Sequence, residues 1–257
     1  MKGSNMDLST FFKGYYDRRM LRILLFGMMQ GLPWVFIGSA MTLWLREDGL
    51  SRSAVGFATL IFGVYAFNFF WAPLIDRIKI PFLGNKIGHR KAWIILFQSF
   101  IVIALLLWSQ LSPSENLTLV VGLGLVIAIA SASQDITLDA LRIEQVDAKE
   151  SAAMTAAAAV MVMGWWTGFK LGGFFVFEIA DRLENAGDAQ YWQTTFLITI
   201  ALILVMNILL LMIPEKPAAK QNELPKGDAM QAAAVWVKDT VFTPLWGFFA
   251  ANGFKIG

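Results

Sequence analysis

Cysteine is absent from the sequence, and there is a single histidine, His89. Without cysteine there are no disulfides and no thiolate metal ligands, and one imidazole excludes a metal site that needs two. The sequence also lacks a phosphate-binding loop ending in Gly-Lys-Ser or Gly-Lys-Thr, which argues against an ATP-driven transporter. We therefore expect no metal and no cofactor, and any proton that the protein moves must be carried by carboxylates.

Charged residues are scarce as well. Only 16% of the residues are charged and 57% are hydrophobic, whereas soluble domains contain roughly 25% charged residues. The net charge of +2 is too small to indicate a nucleic-acid partner. This composition is typical of a polytopic membrane protein, whose surroundings are the lipid bilayer.

Six apolar runs are long enough to cross a membrane as helices. They cover residues 20–45, 53–75, 92–111, 117–138, 152–179 and 191–213. A hydrocarbon core of about 30 Å needs about 20 helical residues, and each run provides them. The sequence therefore predicts an all-α membrane protein with a six-helix bundle at residues 20–213, preceded by a polar, basic segment at residues 1–19.

Glycine and proline mark two of these runs. The first run contains Gly27, Gly31 and Gly38. The fifth run repeats glycine every four residues, at Gly164, Gly168 and Gly172. Such stripes allow a neighbouring backbone to come close, and Pro33 in the first run predicts a kink.

Two segments follow the bundle. Residues 214–239 are polar and contain Pro217, Pro225 and Gly227, which indicates a cytoplasmic linker. Residues 240–257 are apolar and predict the start of a seventh helix, too short to complete a crossing. We expect the chain to be a fragment of a longer protein. The alternative is a natural half-protein that pairs with itself about a two-fold axis.

Lysine and arginine are distributed unevenly between the two sides of the predicted bundle. The N-terminal segment and every second loop carry most of them, whereas the other side has only Arg46, Arg52 and Arg182. Basic loops are retained in the cytoplasm. The N-terminus is therefore expected in the cytoplasm, and the chain is expected to cross the membrane six times.

The end of the fourth run carries the deepest charges. Asp135, Asp139 and Arg142 fall on one helical face, with Gln134 and Glu144 beside them. Charges inside membrane segments normally face a protein interior or a water-filled path. We expect this group to serve proton coupling or gating, with Asp135 as the deepest member. The alternative is that Asp139 and Arg142 form only a helix-end pair in the interfacial zone.

The loop between the second and third runs contains an acid followed by bases. Asp76 and Arg77 follow the second run, and Gly88 and Arg90 precede the third. An acid at such a junction can hold two helix ends together through an amide or an arginine of a neighbouring helix. The alternative is an ordinary basic cytoplasmic loop with one acid.

This loop and several other segments resemble the major facilitator superfamily. The Asp-Arg pair and the Gly-His-Arg-Lys cluster are similar to its loop signature, although Ala72 stands where a glycine is usual. The longer form of the loop resembles the branch of AmpG-type anhydromuropeptide permeases. The other segments with this resemblance are residues 31–33, 44–46, 132–136, 139–142, 168–172 and 254–257.

The resemblance implies the N-terminal six-helix bundle, a 3+3 inverted repeat, of a secondary active transporter that works by alternating access. It implies a proton-coupled importer of a cell-wall-derived muropeptide in the bacterial cytoplasmic (inner) membrane. Its partners would be a small-molecule solute, the proton gradient and the C-terminal half of the same protein. Siderophores or CoA esters are alternative solutes within the branch. An intramembrane acyl- or glycosyl-transferase that uses Asp135 and Asp139 is the alternative of a different class.

A carboxylate-bearing solute would need cations in the central cavity. Lys170 in the fifth run and Lys255 in the seventh segment are the candidates, with Gln30, Trp165 and Trp166 as further binding residues. The alternative for Lys170 is that it reaches out to the membrane surface. The alternative for the tryptophans is packing in the core or against lipid.

Overall fold

The computed structural model describes residue 15, residues 17–147 and 149–215, and residues 238, 243, 246 and 247. Most of the predicted linker and nearly all of the seventh apolar segment, including Lys255, lie outside the described residues. The boundaries proposed for residues 1–19, 214–239 and 240–257 therefore stay predictions. Within the described residues the secondary structure is helical, with no strand.

Six helices are long and apolar enough to cross a membrane, which agrees with the six predicted runs. They are α1 (Arg18–Glu47), α2 (Arg52–Phe70), α3 (His89–Trp108), α4 (Pro113–Gln145), α5 (Ser151–Asn185) and α6 (Tyr191–Leu211). Two short helical segments, Ala72–Arg77 and Leu83–Ile87, follow α2 before α3 begins. The observed helices extend beyond several predicted runs because polar residues continue the helices past the apolar core.

The six helices pack around α1, which is the most buried of them. Helix α5 packs along α1, α4 contacts both α1 and α3, and α6 packs against α3 and α5. Helix α2 is the most exposed and contacts α4 through its second half. The polar residues at the end of α4 are therefore surrounded by α1, α2 and α3.

Three helices depart from regular α-helical geometry. In α4, the backbone of Asn116 is non-helical. In α1, the segment Val35–Ala40 is a π-helix that begins two residues after Pro33. Proline has no N–H and its ring clashes with the carbonyl one turn earlier, so α1 is irregular close to the predicted kink. In α2, the segments Thr59–Gly63 and Asn68–Phe70 are 3-10 helices. A 3-10 helix aligns residues that are three positions apart.

Glycines hold α1 and α5 at close range. A methyl group added to Gly27 would collide with the main chain of α5 at Met161 and Gly164, and one added to Gly168 would collide with the main chain of Met28. Gly31 faces the main chain of Trp165 in the same way. The glycine stripes predicted in these two helices therefore meet each other.

The bundle has two ends. We call the end formed by Asp17, residues 78–88, residues 146, 147, 149 and 150, and Glu215 the basic end. The opposite end comprises residues 48–51, 109–112 and 186–190. At the opposite end, Glu47 accepts hydrogen bonds of 2.6 Å from the hydroxyl of Tyr191 and from Nε1 of Trp192. The Asp48 carboxylate accepts a hydrogen bond from the main-chain N–H of Ser114, close to the start of α4.

Candidate functional site

Gln134 connects three helices at the centre of the bundle. Its side chain is fully buried. The amide of Gln98 on α3 donates to the Gln134 side-chain oxygen, and the Gln134 amide donates to the main-chain carbonyl of Met29 on α1 at 2.7 Å. Because both ends of this amide are bonded, Gln134 positions α4 against α1 and α3. Sequence reasoning grouped it with the charged residues and missed its partner Gln98.

Asp135 follows Gln134 and is held through its main chain. Nε2 of Gln30 on α1 donates to the Asp135 carbonyl at 3.0 Å. The Asp135 side chain differs, because its Oδ1 is buried and has no hydrogen-bond partner among the described residues. An unpaired carboxylate oxygen deep in a bundle is unusual, so this carboxyl group is a candidate for proton binding.

Asp139 and Arg142 form an ion pair in the wall of a cavity. Nε of Arg142 lies 3.3 Å from Oδ1 of Asp139. The cavity has a volume of about 330 Å³, and its lining also includes Gln30 and Trp165. The structure therefore brings together two predicted coupling residues and two predicted binding residues, from α1, α4 and α5. Asp135 does not pair with Arg142 and is connected to the cavity through Gln30.

Glu144 lies apart from Asp135, in an ion-pair cluster at the basic end. Nε of Arg90 donates to Glu144 Oε1 at 3.1 Å, and its Nη1 bonds Asp76. The Arg90 side chain is only 12% exposed. The carboxylate of Glu215 accepts hydrogen bonds from the main-chain N–H groups of Arg90 and Lys91, at 2.8 and 3.0 Å. This cluster joins the segment after α2 to α3, α4 and the segment that follows α6.

Glycine is required where this cluster begins. Gly88 precedes α3 with a φ of 108°, in the region that favours glycine. A methyl group at Gly88 would collide with the Glu215 carboxylate. Gly88 and Arg90 are thus part of the cluster, and Arg77 lies at the end of the segment Ala72–Arg77 with an exposed side chain.

Lys170 lies among aromatic rings. Its ammonium is 5.9 Å from the centroid of the Trp166 ring and 5.8 Å from that of Phe169, which is the range of a cation–π contact. Trp165 stacks on Phe169 and meets the ring of Trp34 edge to face. Lys170 and Trp166 are both exposed on the surface of α5, and neither belongs to the lining of the cavity that Trp165 shares with Arg142.

A second set of ion pairs connects the start of α1 to the loop before α5. Both terminal nitrogens of Arg19 donate to the Glu150 carboxylate, at 2.9 and 2.6 Å, and its Nε donates to Asp17. Hydrogen bonding to Arg19 lowers the pKa of the Asp17 carboxyl and that of the Glu150 carboxyl below their ordinary values. Sequence reasoning missed this contact because its members are 131 residues apart.

The polar face that α2 turns towards α4 was also missed. Nε1 of Trp71 donates to Ser133 Oγ at 2.9 Å, and the Asn68 amide contacts the Ala132 carbonyl at 3.5 Å. The sequence does contain a signal for this polar face. A tyrosine, an asparagine and a tryptophan recur at intervals of three residues, at 65 and 68 in α2 and at 71 just after it.

Comparisons with known proteins give a consistent result. The family model described as Major Facilitator Superfamily matches residues 23–255. A protein of Rickettsia felis named Putative transporter AmpG 4 is 32% identical over 84% of this chain and 50% of its own length. The Anhydromuropeptide permease of Escherichia coli strain K12 is 28% identical over 95% of this chain and 45% of its own length. The chain spans about half the length of these relatives. No solved structure matches the chain.

Proposed function

Because the chain belongs to the major facilitator superfamily and is related to the anhydromuropeptide permease of Escherichia coli, we propose that it is the N-terminal half of a proton-coupled importer of muropeptides. The observation that carries the proposal is the cavity in which Arg142, Asp139, Gln30 and Trp165 meet. The complete transporter works by alternating access, with its second half closing this cavity from the other side.

The substrate class follows from the chemistry of the cavity wall. Arg142 offers a guanidinium that binds a carboxylate through two parallel hydrogen bonds. Its present partner, Asp139, is exposed, so a substrate carboxylate can replace it. Trp165 offers an aromatic surface and Gln30 lies in the same lining. An anionic solute that also carries a sugar ring, as a muropeptide does, uses both features.

Proton coupling is assigned to Asp135. Its carboxyl oxygen is buried and unpaired within the described residues, and Gln30 connects its main chain to the cavity. A carboxyl group in this setting is stable when protonated and becomes ionised when water reaches it. The proton enters with the substrate and leaves to the cytoplasm when the cavity opens on that side.

The cluster of Asp76, Arg90, Glu144 and Glu215 serves as the gate at the basic end. Its members come from four different parts of the bundle, so a relative movement of these parts breaks ion pairs. We place the basic end in the cytoplasm and the chain in the bacterial inner membrane, because basic loops are retained in the cytoplasm. Lys255 completes the site from the seventh segment, outside the described residues.

The alternative functions have less support. A siderophore or a CoA ester is also anionic and uses Arg142 in the same way, so either is an alternative solute. The transferase alternative is not proposed, because the relatives are named transporters or permeases. Asp135 and Asp139 also differ in surroundings, since one is unpaired and buried and the other is bonded to Arg142.

The test is uptake by the complete protein, expressed from the full coding sequence in a strain without its own anhydromuropeptide permease. Radiolabelled anhydromuropeptide is supplied to right-side-out membrane vesicles under an inward proton gradient. We expect accumulation, and a reduction of about tenfold in Arg142→Gln, because a hydrogen bond to a charged group contributes roughly 1.5 to 3 kcal/mol. Arg182→Gln is the matched control, since Arg182 pairs with Glu178 far from the cavity. Uptake that is equal in Arg142→Gln and the control contradicts the assignment.

A further inference from the structure

Four buried polar atoms on α1, α2 and α4 have no hydrogen-bond partner among the described residues. They are Nε1 of Trp34, the hydroxyl of Tyr65, Oγ of Ser131 and Oδ1 of Asp135. The Tyr65 ring packs on Trp34, with centroids 4.6 Å apart, and its hydroxyl faces Ser131 and Asp135. Buried polar atoms are nearly always paired, so a group of unpaired atoms in one place calls for an explanation.

The backbone of α2 explains why Tyr65 points at α4. Residues 65, 68 and 71 are three positions apart, and the 3-10 segment Asn68–Phe70 lies within this stretch. Tyr65 itself lies in the α-helical segment Val64–Phe67, and Trp71 lies just beyond the 3-10 segment. Residues three positions apart share a face in both kinds of helix, so the three side chains lie on one side of α2. Asn68 and Trp71 both bond α4, at Ala132 and Ser133. Tyr65 is the third member of this stripe, one step further from the basic end.

Ser131 completes the arrangement from α4 itself. It lies one helical turn before Asp135 and is fully buried. A hydroxyl group rotates freely and can donate to a carboxylate or accept from a carboxylic acid. Tyr65 and Ser131 thus offer two donors to an ionised Asp135. When Asp135 is protonated, neither hydroxyl group needs to bond it.

On the basis of the proposed function, we propose that the hydroxyls of Tyr65 and Ser131 form a two-donor site that binds the Asp135 carboxylate after its proton has left. The O–H bond of the Asp135 carboxyl group breaks as its proton passes to water in the cavity, and the two hydroxyl hydrogens then turn towards the carboxylate oxygens. Tyr65 and Ser131 are positioning residues, because they act on the solute only through Asp135.

The charges around Asp135 are consistent with this role. On α4, Asp139 is the nearest charged residue and is bonded to Arg142. The neighbours from α1 and α3 are the neutral amides of Gln30 and Gln98, the latter through Gln134. On α5, Lys170 is held over aromatic rings. Tyr65 on α2 and Ser131, one turn earlier on α4, place two hydroxyl groups beside this carboxyl group.

The test uses the complete protein with Tyr65→Phe and Ser131→Ala, each of which removes one oxygen atom and keeps the packing. Two activities are measured in reconstituted vesicles: uptake of radiolabelled anhydromuropeptide against external pH, and exchange of labelled for unlabelled substrate without a proton gradient. Tyr191→Phe and Ser99→Ala are the controls, because they remove hydroxyls on α6 and α3 outside this group.

We expect both variants to exchange substrate at the wild-type rate, because exchange needs no net proton release. Gradient-driven uptake is expected to fall, with its pH dependence displaced by about 0.5 to 1 unit towards higher pH, since the ionised carboxylate has lost a hydrogen bond. An unchanged pH profile overturns the proposal, and so does a parallel loss of uptake and exchange. If the wild-type protein does not transport muropeptide, the proposed function fails, and this outcome is distinct from a failure of the two-donor site.

Discussion

Nε of Arg142 lies 3.3 Å from Oδ1 of Asp139 in the wall of the cavity between α1, α4 and α5. This contact connects the two parts of the account, because Arg142 is the cation proposed to bind the substrate and Asp139 is its present partner. The substrate therefore competes with Asp139 for Arg142.

The first prediction concerns this competition. In Asp139→Asn the guanidinium of Arg142 is freed, so the apparent affinity for an anhydromuropeptide is expected to rise by about 1.4-fold to fivefold, the range that follows from the roughly 0.2 to 1 kcal/mol of an exposed ion pair. The measurement is the KM of uptake in vesicles. A weaker affinity in Asp139→Asn would mean that Asp139 itself binds the substrate.

The second prediction concerns the gate. Arg90→Gln removes the ion pairs to Asp76 and Glu144, so the basic end is expected to open more often. Because the sequence contains no cysteine, a single cysteine introduced at Ala158, in the cavity lining, reports access. We expect faster labelling by a water-soluble maleimide from the basic end in Arg90→Gln than in the control Arg182→Gln. Equal labelling rates would exclude a gating role for the cluster.

The third prediction concerns the packing of α1 on α5. Gly168→Ala drives a methyl group into the main chain of Met28, whereas Gly173→Ala meets side-chain atoms only at 4.0 Å. Overpacking costs about 1 to 3 kcal/mol when side chains must move, and here the obstacle is backbone. We expect Gly168→Ala to lower the thermal unfolding midpoint in detergent and Gly173→Ala to leave it unchanged. Equal unfolding midpoints in Gly168→Ala and Gly173→Ala would contradict the close backbone contact between α1 and α5.

The fourth prediction is a pH dependence at the start of α1. Arg19 lowers the pKa of Glu150 below its ordinary 4.5 and that of Asp17 below 3.8. A carboxyl group with a lowered folded pKa stabilises the protein above the unfolded value, and this contribution is lost as the pH falls through the folded value. Arg19→Gln should therefore unfold at a lower temperature than the wild type at pH 7, with the difference shrinking below about pH 4.5. A difference that stays constant down to pH 3 would contradict the assigned cause.

The fifth prediction concerns orientation. Single cysteines are introduced at Asn85, in the short helical segment Leu83–Ile87 at the basic end, and at Gly187, in a turn at the opposite end. In intact cells an impermeant maleimide is expected to label the cysteine at 187 and to leave the cysteine at 85 unlabelled until the membrane is opened. The reverse pattern would place the basic end outside.

The sequence predicted the features that depend on local pattern. Helix length, the glycine stripes at 27–31 and 164–172 and the irregularity close to Pro33 each follow from residues close together in the chain, and the structure agrees with them. The pairing of Asp139 with Arg142 is of the same kind, since three residues separate them. A helix brings such neighbours together whatever else the protein does.

Long-range contacts could not be predicted from the sequence. Glu144 is nine residues from Asp135 in the chain, yet it bonds Arg90 because the helix ends of α3 and α4 meet at the basic end. The 3-10 segments of α2 could not be predicted, because their geometry depends on packing against α4. The three-residue spacing of Tyr65, Asn68 and Trp71 is visible in the sequence, but the helix that this face contacts is not. Tyr65 was overlooked for this reason. A contact across helices requires their relative rotation, which hydrophobic pattern alone does not determine.

The central claim is that the complete protein imports an anionic muropeptide with a proton carried by Asp135. The most direct measurement is the accumulation of radiolabelled anhydromuropeptide in vesicles under an inward proton gradient, for the wild type and for Asp135→Asn at equal protein level. The account predicts accumulation that a protonophore abolishes, no accumulation in Asp135→Asn, and substrate exchange in both. Full gradient-driven accumulation by Asp135→Asn would contradict the account, as would conversion of the substrate without accumulation.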